Sequence, residues 1–208
     1  MFPIGRKELW HAQAIITLAI ALQLTITPDL RIGPKYLIAA LELLLVFAIG
    51  ITAPRRHTVA KTVHRAFSFL IIALISLANA GQLALLANAL IGGTSLPGKA
   101  LLSGALAIFL TNIIMFCLWY WELDSPGLSG RHKTGAVHFQ FPQKTDSTSK
   151  WRPTFFDYLY VSLTNSTAFS PTDTMPLTHV AKALMSVQAL VALVTIVLVT
   201  ARAVNILG

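Results

Sequence analysis

Five long apolar runs dominate the chain, and each is close to the length of a membrane-spanning helix. A bilayer core about 30 Å thick needs about 20 apolar helical residues to cross it. The runs cover residues 10–27, 36–52, 66–91, 100–121 and 179–206. Helix-stopping residues separate them, among them Pro28, Pro54, Pro97 and Pro126. The pattern therefore predicts five membrane-spanning helices.

The stretch between the fourth and fifth runs breaks this pattern. Residues 122–152 are polar and show no helical period, which predicts a surface loop. The next segment, 154–172, is apolar at its start and rich in hydroxyl side chains at its end. We divide the chain into a four-helix transmembrane region (1–122), a polar loop (123–153) and a C-terminal part (154–208). The predicted fold class is an all-α, polytopic transmembrane helix bundle of five spans plus a short helix, or of six spans.

The composition excludes a soluble globular protein. Hydrophobic residues make up 55% of the 208 residues, charged residues make up 12%, and the mean hydropathy is +0.68. A soluble domain carries roughly 25% charged residues, so half of the expected polar surface is missing.

Cys117 is the single cysteine, which rules out an internal disulfide and a cysteine-based zinc site. The basic N-terminus lacks a clear cleavage site before Pro28, so we expect the first run to be retained as a span.

The net charge of +8 comes from short basic clusters between the apolar runs. A nucleic-acid-binding protein would instead spread its basic residues along one helix face, so no nucleic-acid partner is expected. Most basic residues belong to the N-terminus, to residues 53–65 and to residues 122–153. The positive-inside rule places these three segments in the cytoplasm, with the lipid bilayer as the surrounding partner.

Polar residues inside the runs carry the most information, because they are costly in lipid. Glu42 is a carboxylate well inside the second run. It predicts a proton or cation contact, a partner for a basic group such as Arg202, or a protonated carboxyl that holds helices together. The amide side chains inside the runs are expected to form hydrogen bonds between helices: Gln23, Asn79, Gln82, Asn88, Asn112 and Gln188.

Residues at the end of the fourth run have simpler expected roles. Trp119, Tyr120 and Trp121 are typical of an aromatic belt at the level of the lipid headgroups. Glu122 and Asp124 follow them, where contact with water suffices to explain two carboxylates. No catalytic or metal-binding motif is present, so we expect no enzymatic activity, no metal site and no cofactor.

The segment that follows the polar loop contains a spaced set of acidic, aromatic, hydroxyl and proline residues: Asp157, Leu159, Tyr160, Ser162, Thr167, Asp173, Pro176 and Thr178. These residues fall without a gap in the register D-x-L-Y-F-S-x-x-T-x-T-T-V-G-Y-G-D-x-x-P-x-T, which is approximately that of the pore module of tetrameric potassium channels. The chain from 157 to 205 therefore resembles this module, which consists of a pore helix, a selectivity loop and an inner helix. The resemblance implies a homotetramer around a cation pathway. The chain is also similar to bacterial membrane families of unassigned function with an altered pore loop.

The departures from the family lie in the loop itself. Its T-V-G-Y-G sequence is replaced by Ala168, Phe169, Ser170, Pro171 and Thr172. Potassium selectivity rests on stacked backbone carbonyls, and glycines permit the backbone angles that aim those carbonyls inward. Proline fixes its own φ near −65° and lacks this freedom. We therefore expect a channel-like protein that conducts monovalent cations with poor potassium selectivity.

The polar side chains around the loop could line a water-filled vestibule. They are Thr164, Asn165, Ser166, Thr167, Ser170 and Thr172, and the predicted ion pathway also includes Asp173. A helix can stop at membrane depth only where its free carbonyls face water or protein. The C-terminal end of such a helix favours a cation.

The charge pattern leaves a second hypothesis open. In potassium channels the helix before the pore loop ends outside the cell, whereas the positive-inside rule places the end of the fourth run in the cytoplasm. The charge rule misleads here, the module is inverted, or residues 154–171 cross the membrane. In the third case the protein is a six-span transporter or scaffold with Glu42 and Asn112 in its interior.

Overall fold

The computed structural model describes residues 6–26, 28–30, 34, 36, 40, 43–44, 58–92, 96–124, 137–144, 151–168 and 173–207. Helices make up most of this part of the chain: α1 (Arg6–Thr25), α2 (Thr58–Ile91), α3 (Gly98–Asp124), α4 (Phe155–Thr167) and α5 (His179–Leu207). Two short strands, β1 (Phe139–Gln140) and β2 (Met175–Pro176), pair antiparallel. Single 3₁₀ turns cover Pro28–Leu30 and Pro142–Lys144.

The described helices indicate a membrane-embedded protein. Three of them contain stretches long and apolar enough to cross a membrane: Ser68–Ile91 in α2, Gly98–Asp124 in α3 and His179–Ala201 in α5. In α1 the apolar stretch is shorter, Gln13–Thr25. The predicted run 36–52, which includes Glu42, lies almost entirely outside the described residues. α2 begins earlier than the apolar pattern predicts. Its first turns carry Lys61 and Arg65, so an apolar pattern does not reveal them.

α3 is the central helix of the bundle. Of its most apolar stretch 72% is buried, compared with 29% in α2 and 22% in α5. Close packing at its start depends on Gly104, because a Cβ there would lie 2.8 Å from Cδ1 of Leu30. A side chain at position 104 would push Leu30 away from α3.

Two apolar clusters mark the two ends of the bundle. The first, which we call the loop-end cluster, joins Ile16 and Ile20 of α1 and Ile72 and Ile75 of α2 to residues 114–118, Tyr120 and Trp121 of α3. The second, the far-end cluster, joins Ile26, Leu30, Leu83, Leu86, Leu101, Ala105 and Ile108, with Leu198 and Val199 of α5 packed against it. α1, α2 and α5 therefore start at the loop end and finish at the far end, and α3 runs in the opposite direction.

Short helix α4 starts at the loop end, and the chain returns there before α5 begins. Phe155, at the start of α4, packs against Trp121 near the end of α3, with ring centroids 5.1 Å apart. β1 follows α3, β2 precedes α5, and the pairing of Phe139 with Pro176 joins the two segments. Within the described part of the chain, α4 therefore does not carry the chain from one end of the bundle to the other.

Asp124 anchors this end of the bundle, where the sequence predicts no more than a solvated carboxylate. Its Oδ1 accepts hydrogen bonds from the backbone N–H groups of His138 and Phe139, and its Oδ2 accepts one of 2.8 Å from the Tyr158 hydroxyl. One carboxylate thus ties the end of α3 to β1 and α4. Because the ionised carboxylate offers about four acceptor sites, it can bind all three donors at once.

The aromatic belt predicted at the end of α3 is wrong for two of its three members. Tyr120 and Trp121 are completely buried, because α4 and β1 cover this side of α3. Phe139 lies 5.1 Å from Tyr120, measured between ring centroids. Trp119 is partly buried and donates an indole hydrogen bond of 2.9 Å to Ser76 on α2.

The anchor at Asp124 can be tested with two tyrosines on the same helix. Replacing Tyr158 by Phe removes a hydrogen bond to a charged group, so we expect a loss of about 1–3 kcal/mol in the free energy of unfolding. Tyr160→Phe is the matched control, because the Tyr160 side chain is exposed. Thermal unfolding of both variants in detergent checks this. Equal stability of the two variants would contradict the anchoring role.

Candidate functional site

The candidate site is built around α4, whose start is set by a reciprocal pair of capping residues. The Asp157 carboxylate accepts hydrogen bonds from the Thr154 backbone N–H at 2.6 Å and from its hydroxyl at 2.7 Å. An acidic side chain in the first turn also interacts favourably with the helix dipole. This capping arrangement explains why the helix begins at Phe155.

One face of α4 packs antiparallel along α3. Phe155 lies beside Cys117, and the Ser162 hydroxyl donates a hydrogen bond of 2.6 Å to the carbonyl of Ile113. Ile113 lies close to the middle of α3. α4 ends at Thr167, five residues or about 7.5 Å beyond Ser162. The short helix therefore ends near the middle of the bundle.

The polar groups on this face converge on the amide of Gln188 on α5. Its Oε1 accepts hydrogen bonds from the Tyr120 hydroxyl and from the Asn165 amide, the latter at 2.9 Å. Its Nε2 donates to the Ser162 hydroxyl at 2.6 Å, to the Ser162 carbonyl at 3.0 Å and to the Ser166 hydroxyl at 2.8 Å. We call these five residues, Tyr120, Ser162, Asn165, Ser166 and Gln188, the Gln188 network.

The Gln188 network holds three helices together. Tyr120 belongs to α3, Gln188 to α5 and the other three residues to α4. All five side chains are buried, and Asn165 donates a further hydrogen bond of 2.9 Å to the Met185 carbonyl. The interhelical role predicted for Gln188 is therefore confirmed. Asn165 and Ser166, which the sequence places in a vestibule lining, instead bond to neighbouring helices.

The remaining predicted pore-loop residues are only partly described. Thr167 and Ala168 are exposed at the end of α4, and Asp173 is exposed just before β2. The hydroxyl of Thr167 bonds to the carbonyl of Leu163 in its own helix at 2.9 Å. Phe169, Ser170, Pro171 and Thr172 lie outside the described residues, as does Glu42.

The outer face of α4 is apolar and exposed in the single chain. Phe156 and Tyr160 are each 51% exposed and Leu163 is 44% exposed, on the side opposite the Gln188 network. α5 also has exposed apolar residues, Val187, Leu190, Val194 and Val197. α4 therefore has one face locked into its own chain and another available to lipid or to further copies of the chain.

The described residues contain no group of three or more His, Cys, Asp or Glu side chains that could hold a metal ion. What α4 offers an ion is therefore the chemistry of its C-terminal end. Helix C-termini carry partial negative charge on unpaired carbonyls, which attracts cations. Hydroxyl side chains of Thr164 and Thr167 stand in the last turn of the helix.

Two features of the site escape the sequence pattern. Tyr120 belongs to a run of aromatic residues at a span end, where an interfacial position is the usual outcome. The β1–β2 pairing joins residues 35 and 37 positions apart and involves two residues in each strand, which is too short for an alternating pattern to show. The serines of α4 at positions 162 and 166, four apart and on one helix face, were the available signal for a polar contact.

The Gln188 network can be tested by removing its central amide. In Gln188→Leu the Tyr120 hydroxyl loses its acceptor, the Ser166 hydroxyl loses its donor and the Asn165 amide loses one of its acceptors, so we expect a loss of about 2 kcal/mol or more in stability. Ser186→Ala is the control, because Ser186 is exposed and bonds only to the Lys182 carbonyl of its own helix. Thermal unfolding in detergent measures both. A Gln188→Leu variant as stable as Ser186→Ala would contradict the locking role.

Comparisons with known proteins do not assign the chain to a family. No family model, no curated protein and no solved structure matches it. The resemblance of residues 157–205 to potassium-channel pore modules therefore rests on the residues themselves and stays a prediction. The function has to be argued from the geometry of α4 and its surroundings.

Proposed function

We propose that this chain is a channel-like membrane protein in which α4 and the residues after it form the pore loop of a homotetramer. The observation that carries the proposal is the path of the chain around α4. The helix enters from the loop end, stops near the middle of the bundle, and the chain comes back to the loop end at β2. A re-entrant pore helix would follow a path of this kind, and this similarity supports the proposal.

The physical argument starts from the end of α4 inside the bundle. Free carbonyl groups at a helix end are tolerated at membrane depth only where protein or water satisfies them. Thr167 and Ala168, at that end, are exposed in the single chain. A water-filled axis between several copies of the chain would hydrate these groups and expose a cation to the negative end of the helix.

The exposed apolar face of α4 and α5 supports a homo-oligomer. A pore loop encloses an axis only when several copies surround it, and potassium-channel-like modules use four. The Gln188 network positions α4 from within its own chain, so the outer face is free to pack on neighbouring copies. A six-span transporter or scaffold without a pore is the alternative, and in it the same face would contact lipid.

The loop composition defines the expected selectivity. Ser170, Pro171 and Thr172 replace the glycine-containing filter, so backbone carbonyls cannot all be aimed inward by glycine conformations. Hydroxyl groups and the Asp173 carboxylate are the remaining cation ligands of this segment. We expect conduction of monovalent cations with weak discrimination between potassium and sodium.

Ion flux into vesicles tests the proposal. The purified chain, with its tetrameric mass checked by native mass spectrometry, is reconstituted and its uptake of thallium, potassium and sodium ions is followed. Ser170→Ala and Thr172→Ala should change the rate or the ion preference, because both remove loop hydroxyls. Thr17→Val, which removes an exposed hydroxyl on α1, should not. Flux that is unaltered in both loop variants would show that the loop is not part of the ion pathway.

The path of the chain also predicts where its ends lie. With α4 re-entrant, the five apolar runs cross the membrane five times, so we expect the N-terminus in the cytoplasm and the C-terminus outside. Fusions of a cytoplasm-specific fluorescent reporter and a periplasm-specific phosphatase to each end measure this. Both termini on the cytoplasmic side would instead support six spans and overturn the re-entrant arrangement.

A further inference from the structure

A layer of polar side chains separates the loop-end cluster from the far-end cluster in the interior of the bundle. It consists of Gln23 on α1, Asn79 and Gln82 on α2, and Thr111 and Asn112 on α3. All five are at most 4% exposed. We call them the mid-bundle layer.

The register of the three helices places these residues at one level. On α1, Gln23 follows Ile20 of the loop-end cluster by three residues and precedes Ile26 of the far-end cluster by three. On α2, Asn79 and Gln82 lie between Ile75 and Leu83. On α3, Thr111 and Asn112 lie between Ile108 and Ile114, at the midpoint of the helix. Each helix therefore contributes its polar residues between the two clusters.

The mid-bundle layer contains buried polar atoms that make no hydrogen bond within the described structure. They are Oε1 and Nε2 of Gln23, Oδ1 of Asn79, Oε1 of Gln82, Oγ1 of Thr111 and Nδ2 of Asn112. The Gln188 network, in the same bundle, satisfies its polar groups with protein partners. The polar groups of the Gln188 network are thus paired within the protein, whereas several of those in the mid-bundle layer are not.

A set of unpartnered polar atoms is unstable at this depth. Burying an amide or hydroxyl without a hydrogen bond costs about 1–3 kcal/mol per group in proteins, and lipid offers no partner. Six such atoms in one layer would consume much of the stability of a small bundle, which is about 5–15 kcal/mol. An occupant that bonds to these atoms would therefore stabilise the layer.

The mixture of atoms selects the chemistry of that occupant. Four of the unpartnered atoms are oxygens and two are amide nitrogens. A bare cation would satisfy the oxygens and leave the two nitrogens without an acceptor, whereas an anion would do the reverse. A neutral molecule that both donates and accepts hydrogen bonds satisfies the whole set. Water fits, since a buried water makes about three hydrogen bonds to polar groups that lack partners.

We propose that the mid-bundle layer is a binding site for internal water molecules, separate from α4 and its loop. The protein then holds a hydrated layer in the middle of a membrane-embedded bundle, enclosed by an apolar cluster on each side. This inference does not depend on channel activity, because none of its five residues belongs to α4 or α5.

Isotope-labelled protein in lipid vesicles tests the site directly. With ¹⁵N-asparagine labelling, water-edited solid-state NMR measures how fast magnetisation passes from water to each side-chain amide. We expect rapid transfer to Nδ2 of Asn112 and slow transfer to Nδ2 of Asn165, which is equally buried but bonds to protein groups. Asn112→Ser identifies the Asn112 signal by its loss. Transfer to Asn112 as slow as to Asn165 would show a dry layer and overturn the proposal.

The melting temperature of a variant gives an independent test of the hydrated layer. If water bonds to Thr111, Thr111→Val removes a satisfied hydroxyl and should lower the melting temperature by a few degrees. In a dry layer the same change removes an unpartnered hydroxyl and should raise the melting temperature. Thr195→Val is the matched control, because Thr195 is equally buried and bonds to the Val191 carbonyl of its own helix. A higher melting temperature for Thr111→Val than for the unaltered chain would contradict the hydrated layer.

Discussion

A helix that stops part-way along its neighbours in a membrane-embedded bundle has to bury its polar groups against protein. In this chain the polar side chains of α4 form hydrogen bonds with the amide of Gln188. Ser162, Asn165 and Ser166 give α4 a polar face that lipid cannot accommodate. A single amide offers a donor group and an acceptor group, which matches hydroxyls on one side and an amide on the other. The position of α4 between α3 and α5 therefore depends on Gln188, and so do the start and depth of the candidate pore loop.

The central place of α3 follows from the same requirement. Helices α1, α2, α4 and α5 all pack on α3, whose residues between Thr111 and Leu118 are all buried. Toward the loop end α3 meets a polar partner, Tyr120 against Gln188, and at its midpoint Thr111 and Asn112 are buried in the bundle. The two polar contacts differ in outcome because α4 and α5 bring complementary groups, whereas Gln23, Asn79 and Gln82 leave several atoms without a partner.

The long helices and the start of α4 could be predicted from the sequence, because each depends on residues close together in the chain. Apolar runs of spanning length form helices whatever their neighbours, and Thr154 with Asp157 sets a local start for α4. The burial of Tyr120 and the anchoring role of Asp124 could not be predicted in this way. The first depends on Phe139 and Gln188 and the second on Phe139 and Tyr158, and these partners lie 15 to 68 residues further along the chain. The sequence shows which residues are polar, but the pairing depends on the tertiary fold.

The distribution of charge constrains how a pore loop could act in this bundle. Only four of the 16 Lys and Arg residues, Arg31, Lys35, Lys99 and Arg202, belong to segments attached to the far end. The loop end, from which α4 enters, is therefore strongly basic, and its field opposes the approach of cations. Attraction for a cation then has to arise from groups close to it. Salt screens the repulsion from the distant basic residues, whereas groups in direct reach of the ion are screened least. The candidates are the carboxylate of Asp173 and the C-terminal end of α4, which lies deep in the bundle. The depth at which the Gln188 network holds α4 is thus the feature on which cation conduction would depend.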